Sequence, residues 1–216
     1  MPDYQKYLQT AIQAVAEACH ATRAVQSELD SIRQMTKDDR SPVTVADFAA
    51  QALVCQRLSD DLGPLDMVGE ESAAELRESD KASLRAAVAQ TVQKYRDDLS
   101  EDDVLKAIDM GNHDASKSRY WTLDPNDGTK GFLRGGQYAV SLALIENGQV
   151  MLGVLGCPNM SADFGTPFDT PATNGCLYYA TEGQGSWYLP ENELQATPSK
   201  ISASANVDLS ALRVCE

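Results

Sequence analysis

The chain has 216 residues, of which 43% are hydrophobic and 23% are charged, and it carries a formal net charge of −14. This is the composition of a folded protein, and it excludes a surface rich in basic residues for nucleic acid. No window approaches the roughly 20 consecutive apolar residues of a membrane span, so we expect a cytoplasmic protein that binds neither nucleic acid nor membrane. Its five cysteines include no C-x-x-C pair, which favours reduced thiols over disulfides or a zinc site.

The first half of the chain is predicted to be mostly helical. Apolar residues recur at helical spacing from Tyr4 to Leu29, which predicts a long amphipathic helix. A second helix is expected to begin near Thr44 and to end at Gly63, which a proline follows. The run Ser100–Asp103 has the pattern of a capping box for a further helix that Gly111 closes.

From Arg119 onward the sequence has the pattern of a sheet. Tyr120–Leu123 is strand-like, and residues 138–156 form two predicted strands joined at Asn147-Gly148, a strong hairpin signal. A second hairpin is expected over residues 177–189. Helices first and strands afterwards predict a layered α/β (α+β) fold, in which helices pack on a largely antiparallel sheet.

Three polar clusters stand at the ends of predicted elements. They are Lys37–Thr44, Gly69–Ser72 and Asp124–Thr129. Magnesium prefers octahedral oxygen ligands and keeps several waters, so a few carboxylates, one carbonyl and a substrate phosphate suit it. Between Asp124 and Asp127, Pro125 fixes the backbone so that two carboxylates and a carbonyl can converge. Gly128 and Thr129 then begin a short helix, whose free N–H groups could bind phosphate.

Each cluster also has a simpler interpretation on its own. Asp124 can be a turn residue, Asp127 a helix cap, and Glu70-Glu71 a solvated acidic pair. The joint occurrence of the clusters after strand-like segments favours one shared site.

The same motifs resemble the lithium-sensitive, magnesium-dependent phosphatases of the inositol monophosphatase-like superfamily. The resemblance rests on Ser41–Thr44 with Asp47, on Val68–Ser72, and above all on Trp121–Arg134. The continuation Lys130–Gly135, followed by Gln137–Val140, is more similar to bisphosphate nucleotidases than to inositol monophosphatases. The similarity covers nearly the whole chain in order.

The resemblance implies a set of site residues and a cofactor. Two or more Mg²⁺ ions would be bound by the residues Glu70, Asp124 and Asp127 and by the main-chain carbonyl of Asn126. Gly128 and Thr129 would bind the substrate phosphate, and Asp39 and Thr129 would hold and activate the attacking water.

The implied reaction is hydrolysis of the 3' or 2' phosphate of an adenosine bisphosphate such as 3'-phosphoadenosine 5'-phosphate, giving AMP and phosphate. The substrate partner is thus a small bisphosphate nucleotide. The alternatives are an inositol phosphate phosphatase, or a catalytically weak homologue that binds metal or phosphate without turnover.

The resemblance also implies a domain organisation. Residues 1–190 would form an N-terminal metal- and phosphate-binding domain, and residues 191–216 would begin a truncated C-terminal α/β domain. Residues 210–216 alternate like the start of a strand, or like a frayed edge strand.

Two features depart from the family pattern. The family usually has an aliphatic residue at the position of Asn126. A Trp-Asp motif, which completes the second metal site in the family, is absent, because Trp121 precedes Thr122 and Trp187 precedes Tyr188. We therefore expect little or no nucleotidase activity from this chain, and self-association through exposed apolar surface.

Overall fold

The computed structural model describes residues 4–29, 41–163, 165–203 and 205. The helices in this part of the chain are α1 (Gln5–Ser27), α2 (Ser41–Leu62), α3 (Ala82–Gln93), α4 (Glu101–Asp109) and α5 (Thr129–Leu133). The strands are β1 (Met67–Val68), β2 (Arg119–Asp127), β3 (Ala139–Glu146), β4 (Gln149–Cys157), β5 (Cys176–Thr181), β6 (Gly185–Pro190) and β7 (Ser199–Ile201). Two short 3-10 helices, Glu75–Arg77 and Ser79–Lys81, precede α3.

These strands form one sheet in which the strand order is the order of the chain. β1 lies parallel to β2, and each of the other neighbouring pairs is antiparallel. The predicted layered α/β fold, with helices on a largely antiparallel sheet, is confirmed.

Helices α1 and α2 pack against one face of the sheet through small side chains. Helix α1 buries several alanines together with Val15 and Cys19, and these share a core with Leu142 of β3 and Val154 of β4. At Gly156 of β4, an added Cβ would lie 2.6 Å from a methyl group of Val15. The glycine and the alanines therefore allow the helix and the sheet to come into close contact.

A second buried cluster joins α2 to the remaining helices. It contains Phe48 and Leu53 of α2, Val88 of α3, Ile108 of α4 and Phe132 of α5. This cluster fixes the C-terminal end of α4 against α2, and that end of α4 borders the site described below.

Two local predictions are confirmed in detail. Asn147 and Gly148 have φ angles of +51° and +79°, both left-handed as a two-residue type I′ hairpin turn requires. At the start of α4, the Ser100 side chain accepts from the Asp103 N–H and the Asp103 carboxylate accepts from the Ser100 N–H.

Strand β2 is longer than predicted. It continues through Pro125 to Asp127, and its register with β3 shifts between Asp124 and Asp127. The acidic run therefore lies in the irregular end of a strand, where a missing proline N–H interrupts no regular ladder.

The stretch after residue 190, which was expected to begin a second domain, contributes β7 to the same sheet through pairing with β6. The predicted second domain stays a prediction, and the strand-like residues 210–216 lie outside the described residues.

Two expectations from composition can be compared with the described residues. Cys19, Cys55, Cys157 and Cys176 are free thiols, as predicted, and Cys215 lies outside the described part. None of the helices that the structure describes is long and apolar enough to cross a membrane.

Candidate metal centre

Two carboxylates meet where β1 and β2 end side by side. The parallel register pairs Val68 with Thr122, so Glu70 and Asp124 follow at equivalent positions. The pKa of Glu70 is raised by partial burial, then by the charge of Asp124 and a hydrogen bond with its side chain, and then by Asp127. A raised pKa of this origin shows that like charges have been brought together.

A third carboxylate, that of Asp127, lies near the pair formed by Glu70 and Asp124. Asp127 is exposed, and its charge acts on Glu70. Among the described residues, no three His, Cys, Asp or Glu side chains are arranged to hold a metal ion by themselves. Two close carboxylates with a third nearby nevertheless fit Mg²⁺, which takes one or two carboxylates and fills its other positions with water and substrate phosphate.

A further carboxylate reaches this centre from α2. Asp47 is half-buried, and burial raises its pKa to about 8; Asn126 opposes this shift, and the charges of Glu71, Glu70 and Asp124 add to it. Asp47 belongs to the motif that carries the family resemblance, but the predicted water-activating role falls on Asp39, which lies outside the described residues.

Glu71 faces a different environment from its neighbour Glu70. Burial, with the charges of Glu70 and Glu75, raises the pKa of Glu71 to about 7. The acidic loop, which we define as Gly69–Ala73, therefore places two carboxyl groups beside β2.

The end of α4 holds the acidic loop in place. The N–H of Gly69 donates to the carbonyl of Gly111 at 2.8 Å. The N–H of Ala73 donates to the Asp109 carboxylate at 2.9 Å, and Arg77 pairs with that carboxylate at 2.7 Å. Both ends of the loop are thus attached to the same short segment.

Asn126 is buried at the centre of the acidic run, with 5% of its surface exposed. Its N–H donates to Asp124 Oδ1 at 3.1 Å, which fixes that carboxylate relative to the backbone. Its side-chain amide lies near enough to Asp47 to lower the pKa of that carboxyl, yet neither amide atom completes a hydrogen bond within the described residues.

Gly128 and Thr129 lie at the start of α5, directly after Asp127. Gly128 has φ +97°, and an added Cβ would lie 3.3 Å from Cα of Tyr138. Its carbonyl accepts from Gly131 N–H at 2.7 Å and from Phe132 N–H at 3.1 Å. Both Gly128 and Thr129 are exposed, and phosphate binding there stays a prediction.

Comparison with known proteins places the chain in a family. The sequence profile of the inositol monophosphatase family matches residues 3–214. The chain belongs to the inositol monophosphatase family. The resemblance inferred from the motifs is thereby confirmed.

Other members of the inositol monophosphatase family are named as nucleotidases. The chain is 39% identical over 227 residues to 3',5'-bisphosphate nucleotidase 2 of Arabidopsis thaliana, covering 99% of this chain and 65% of that protein. It is 42% identical over 201 residues to 3'(2'),5'-bisphosphate nucleotidase 1 of Candida albicans, covering 86% of this chain and 54% of that protein. This family member thus spans less than two thirds of the length of these relatives.

Solved structures share the fold. CysQ from Bacteroides thetaiotaomicron superposes with a TM-score of 0.58 at 19% identity, covering 96% of this chain and 62% of that structure. SuhB from Mycobacterium tuberculosis superposes with a TM-score of 0.55 at 20% identity, covering 97% of this chain and 56% of that structure. At this identity the likeness shows the inositol monophosphatase fold.

Proposed function

We propose that this chain hydrolyses the 3' or 2' phosphate of an adenosine bisphosphate such as 3'-phosphoadenosine 5'-phosphate, with Mg²⁺ as cofactor. The observation that carries the proposal is the meeting of Glu70 and Asp124 at the adjoining ends of β1 and β2. The relatives named as bisphosphate nucleotidases support this substrate class.

Glu70, Asp124 and Asp127, with the carbonyl of Asn126, are the residues that would hold Mg²⁺. When bound, such a cation neutralises phosphate oxygens and lowers the pKa of a bound water. The acidic pair provides the negative charge that attracts the cation, and the N–H of Asn126 keeps the Asp124 carboxylate oriented.

A site of five acids would repel an anionic substrate unless cations neutralise it. The acids are Asp47, Glu70, Glu71, Asp124 and Asp127. In a chain of net charge −14, substrate binding should therefore depend steeply on the divalent cation.

Water activation is the role proposed for Asp39 and Thr129 from the family resemblance. Asp47 is a second carboxylate suited to hold or accept a proton there, because it lies beside the acidic pair and its Oδ1 has no hydrogen-bond partner in the described structure. Gly128 and Thr129 would meet the phosphate through main-chain N–H groups.

The test measures Mg²⁺ binding by calorimetry and phosphate release from 3'-phosphoadenosine 5'-phosphate, with inositol 1-phosphate as the competing substrate. We expect Mg²⁺ binding and slow, nucleotide-selective phosphate release that a chelator abolishes. Asp124→Asn should lose both, with the rate falling on the order of 10²–10³-fold.

A matched control is Asp114→Asn. Asp114 accepts from the Ser116 N–H at 3.0 Å, the same two-residue turn that Asp124 makes with Asn126. The Asp114→Asn variant should leave Mg²⁺ binding and phosphate release unchanged. Equal Mg²⁺ binding by Asp124→Asn and wild type would contradict the proposed metal site. Faster phosphate release from inositol 1-phosphate than from the nucleotide would contradict the proposed substrate class.

A further inference from the structure

A buried glutamine of α2 contacts the main chain of the acidic loop. Gln51 of α2 is fully buried, with 0% of its surface exposed. It lies one helical turn after Asp47, so both residues are on the same face of α2. Gln51 is uncharged, and a buried amide needs hydrogen-bond partners to be tolerated in a core.

All of those partners belong to the segments that build the site. The amide nitrogen of Gln51 donates to the carbonyl of Glu71 at 2.6 Å and to that of Ile108 at 2.8 Å. Its amide oxygen accepts from the N–H of Glu71 at 3.0 Å. The side chain therefore binds the main chain of Glu71 in both directions, as a neighbouring strand would, and ties it to the end of α4.

The surroundings are shaped for this one side chain. A Cβ at Gly69 would lie 2.5 Å from Gln51 Oε1, and a Cβ at Gly111 would lie 2.5 Å from Nε2. Gly69 in turn donates to the Gly111 carbonyl at 2.8 Å. The two glycines leave room for the amide, and the amide fills that room.

Glu70 lies between two residues that are fixed in this way. Gly69 before it is bonded to Gly111, and Glu71 after it is bonded to Gln51. The charges of Asp124 and Asp127 act on Glu70, so its place beside them depends on how firmly the main chain of the acidic loop is held. An uncharged amide can hold that main chain without adding another charge.

We propose that Gln51 is a positioning residue for the metal centre: by gripping the main chain of Glu71, it holds Glu70 beside Asp124. The inference rests on the proposed function, because it assigns Gln51 to the Mg²⁺ site proposed there. Groups that orient metal ligands typically change metal affinity by about 10–100-fold when they are removed.

The test compares Gln51→Met with Gln93→Met. Methionine keeps the length of the side chain and removes every hydrogen bond. Gln93 of α3 also donates from its amide nitrogen to a main-chain carbonyl, that of Leu99, at 2.9 Å, but away from the acidic loop. It therefore controls for the loss of a helix-to-backbone hydrogen bond.

Two measurements are made on chains that circular dichroism shows to be folded. Calorimetric titration with Mg²⁺ should show about 10–100-fold weaker binding for Gln51→Met and unchanged binding for Gln93→Met. Amide hydrogen exchange, read by nuclear magnetic resonance, should be faster at the N–H of Glu71 in Gln51→Met alone. A role in packing alone would lower stability in both variants and leave Mg²⁺ affinity as in wild type.

If Gln51→Met does not fold, Gly111→Ala gives the second route, because its Cβ would push the Gln51 amide out of place. Wild-type Mg²⁺ affinity in whichever of the two variants folds would overturn the inference. A wild-type chain that binds no Mg²⁺ would remove the proposed function and this inference together. A chain that binds Mg²⁺ but releases phosphate from no nucleotide would overturn the reaction alone, and the comparison of affinities would still decide the role of Gln51.

Discussion

The side-chain amide of Asn126 is buried, and neither of its polar atoms completes a hydrogen bond in the described structure. Leaving a buried polar group unpaired costs about 1–3 kcal/mol. Asn126→Ile should therefore raise the free energy of unfolding, but by less than this cost, because it also removes the amide that lowers the pKa of Asp47. It should also keep or improve Mg²⁺ affinity, because the main-chain carbonyl is unchanged. Urea denaturation and calorimetry measure the two effects.

Asn159 supplies the matched control. It is equally buried, with 3% exposed, but its amide nitrogen donates to Gln26 at 2.8 Å and to the Gly136 carbonyl at 2.6 Å. Asn159→Ile should destabilise the protein, because it removes both of those hydrogen bonds. A large loss of Mg²⁺ affinity in Asn126→Ile would show that its amide is itself a ligand, contrary to the transfer from the family.

The individual acids of the site were only partly predictable from sequence. Glu70 and Asp124 could be found because each follows a strand-like segment in a recognisable motif. The places of Asp47 and Gln51 beside the acidic loop depend on how α2 packs against β1 and α4, which local sequence does not specify.

Among the elements, the start of α4 depends most clearly on pH. Asp103 accepts from the hydroxyl and the N–H of Ser100 and from Lys106, and these bonds lower its pKa from 3.8 to about 2. A lowered pKa in the folded state means that its stabilisation is present above the unfolded pKa and is lost as pH falls. The advantage of wild type over Asp103→Asn in melting temperature should therefore shrink between about pH 4 and pH 2.

Asp102→Asn serves as the control, because Asp102 also lies in the first turn but takes no part in the capping box. The difference in melting temperature between Asp102→Asn and wild type should change less over the same pH range. A difference in melting temperature between wild type and Asp103→Asn that stays constant from about pH 6 to about pH 2 would contradict the assignment.

Elements with their own local signal were predicted well, and the others were not. The Asn147-Gly148 turn and the Ser100 cap carry their geometry in a few residues. The extension of β2 through Pro125 could not be predicted, because proline argues against a strand until the irregular pairing with β3 is known.

For the whole molecule, the acidic pair exists only when a long loop is closed. Met67 pairs with Trp121, about fifty residues later in the chain, and contacts of such separation tend to form late in folding. Mg²⁺ at about 100 times its Kd should add about 2.7 kcal/mol to the free energy of unfolding. We expect this to appear mainly as slower unfolding, measured by stopped-flow in denaturant, because the site is then absent from the transition state.

The Asp124→Asn variant separates Mg²⁺ binding at the site from a general effect of salt. Its folding and unfolding rates should respond to Mg²⁺ only weakly. Faster refolding of wild type in Mg²⁺, with unfolding unchanged, would mean instead that β1 and β2 are already paired in the transition state.

The order of the strands has a consequence for synthesis. From β2 to β7 each strand pairs with the one that follows it, so the sheet can grow strand by strand as the chain leaves the ribosome. Helix α1 is made well before β4, yet it buries Val15 and Cys19 against that strand. The part of its apolar face that contacts β4 therefore stays uncovered during translation until β4 has been made.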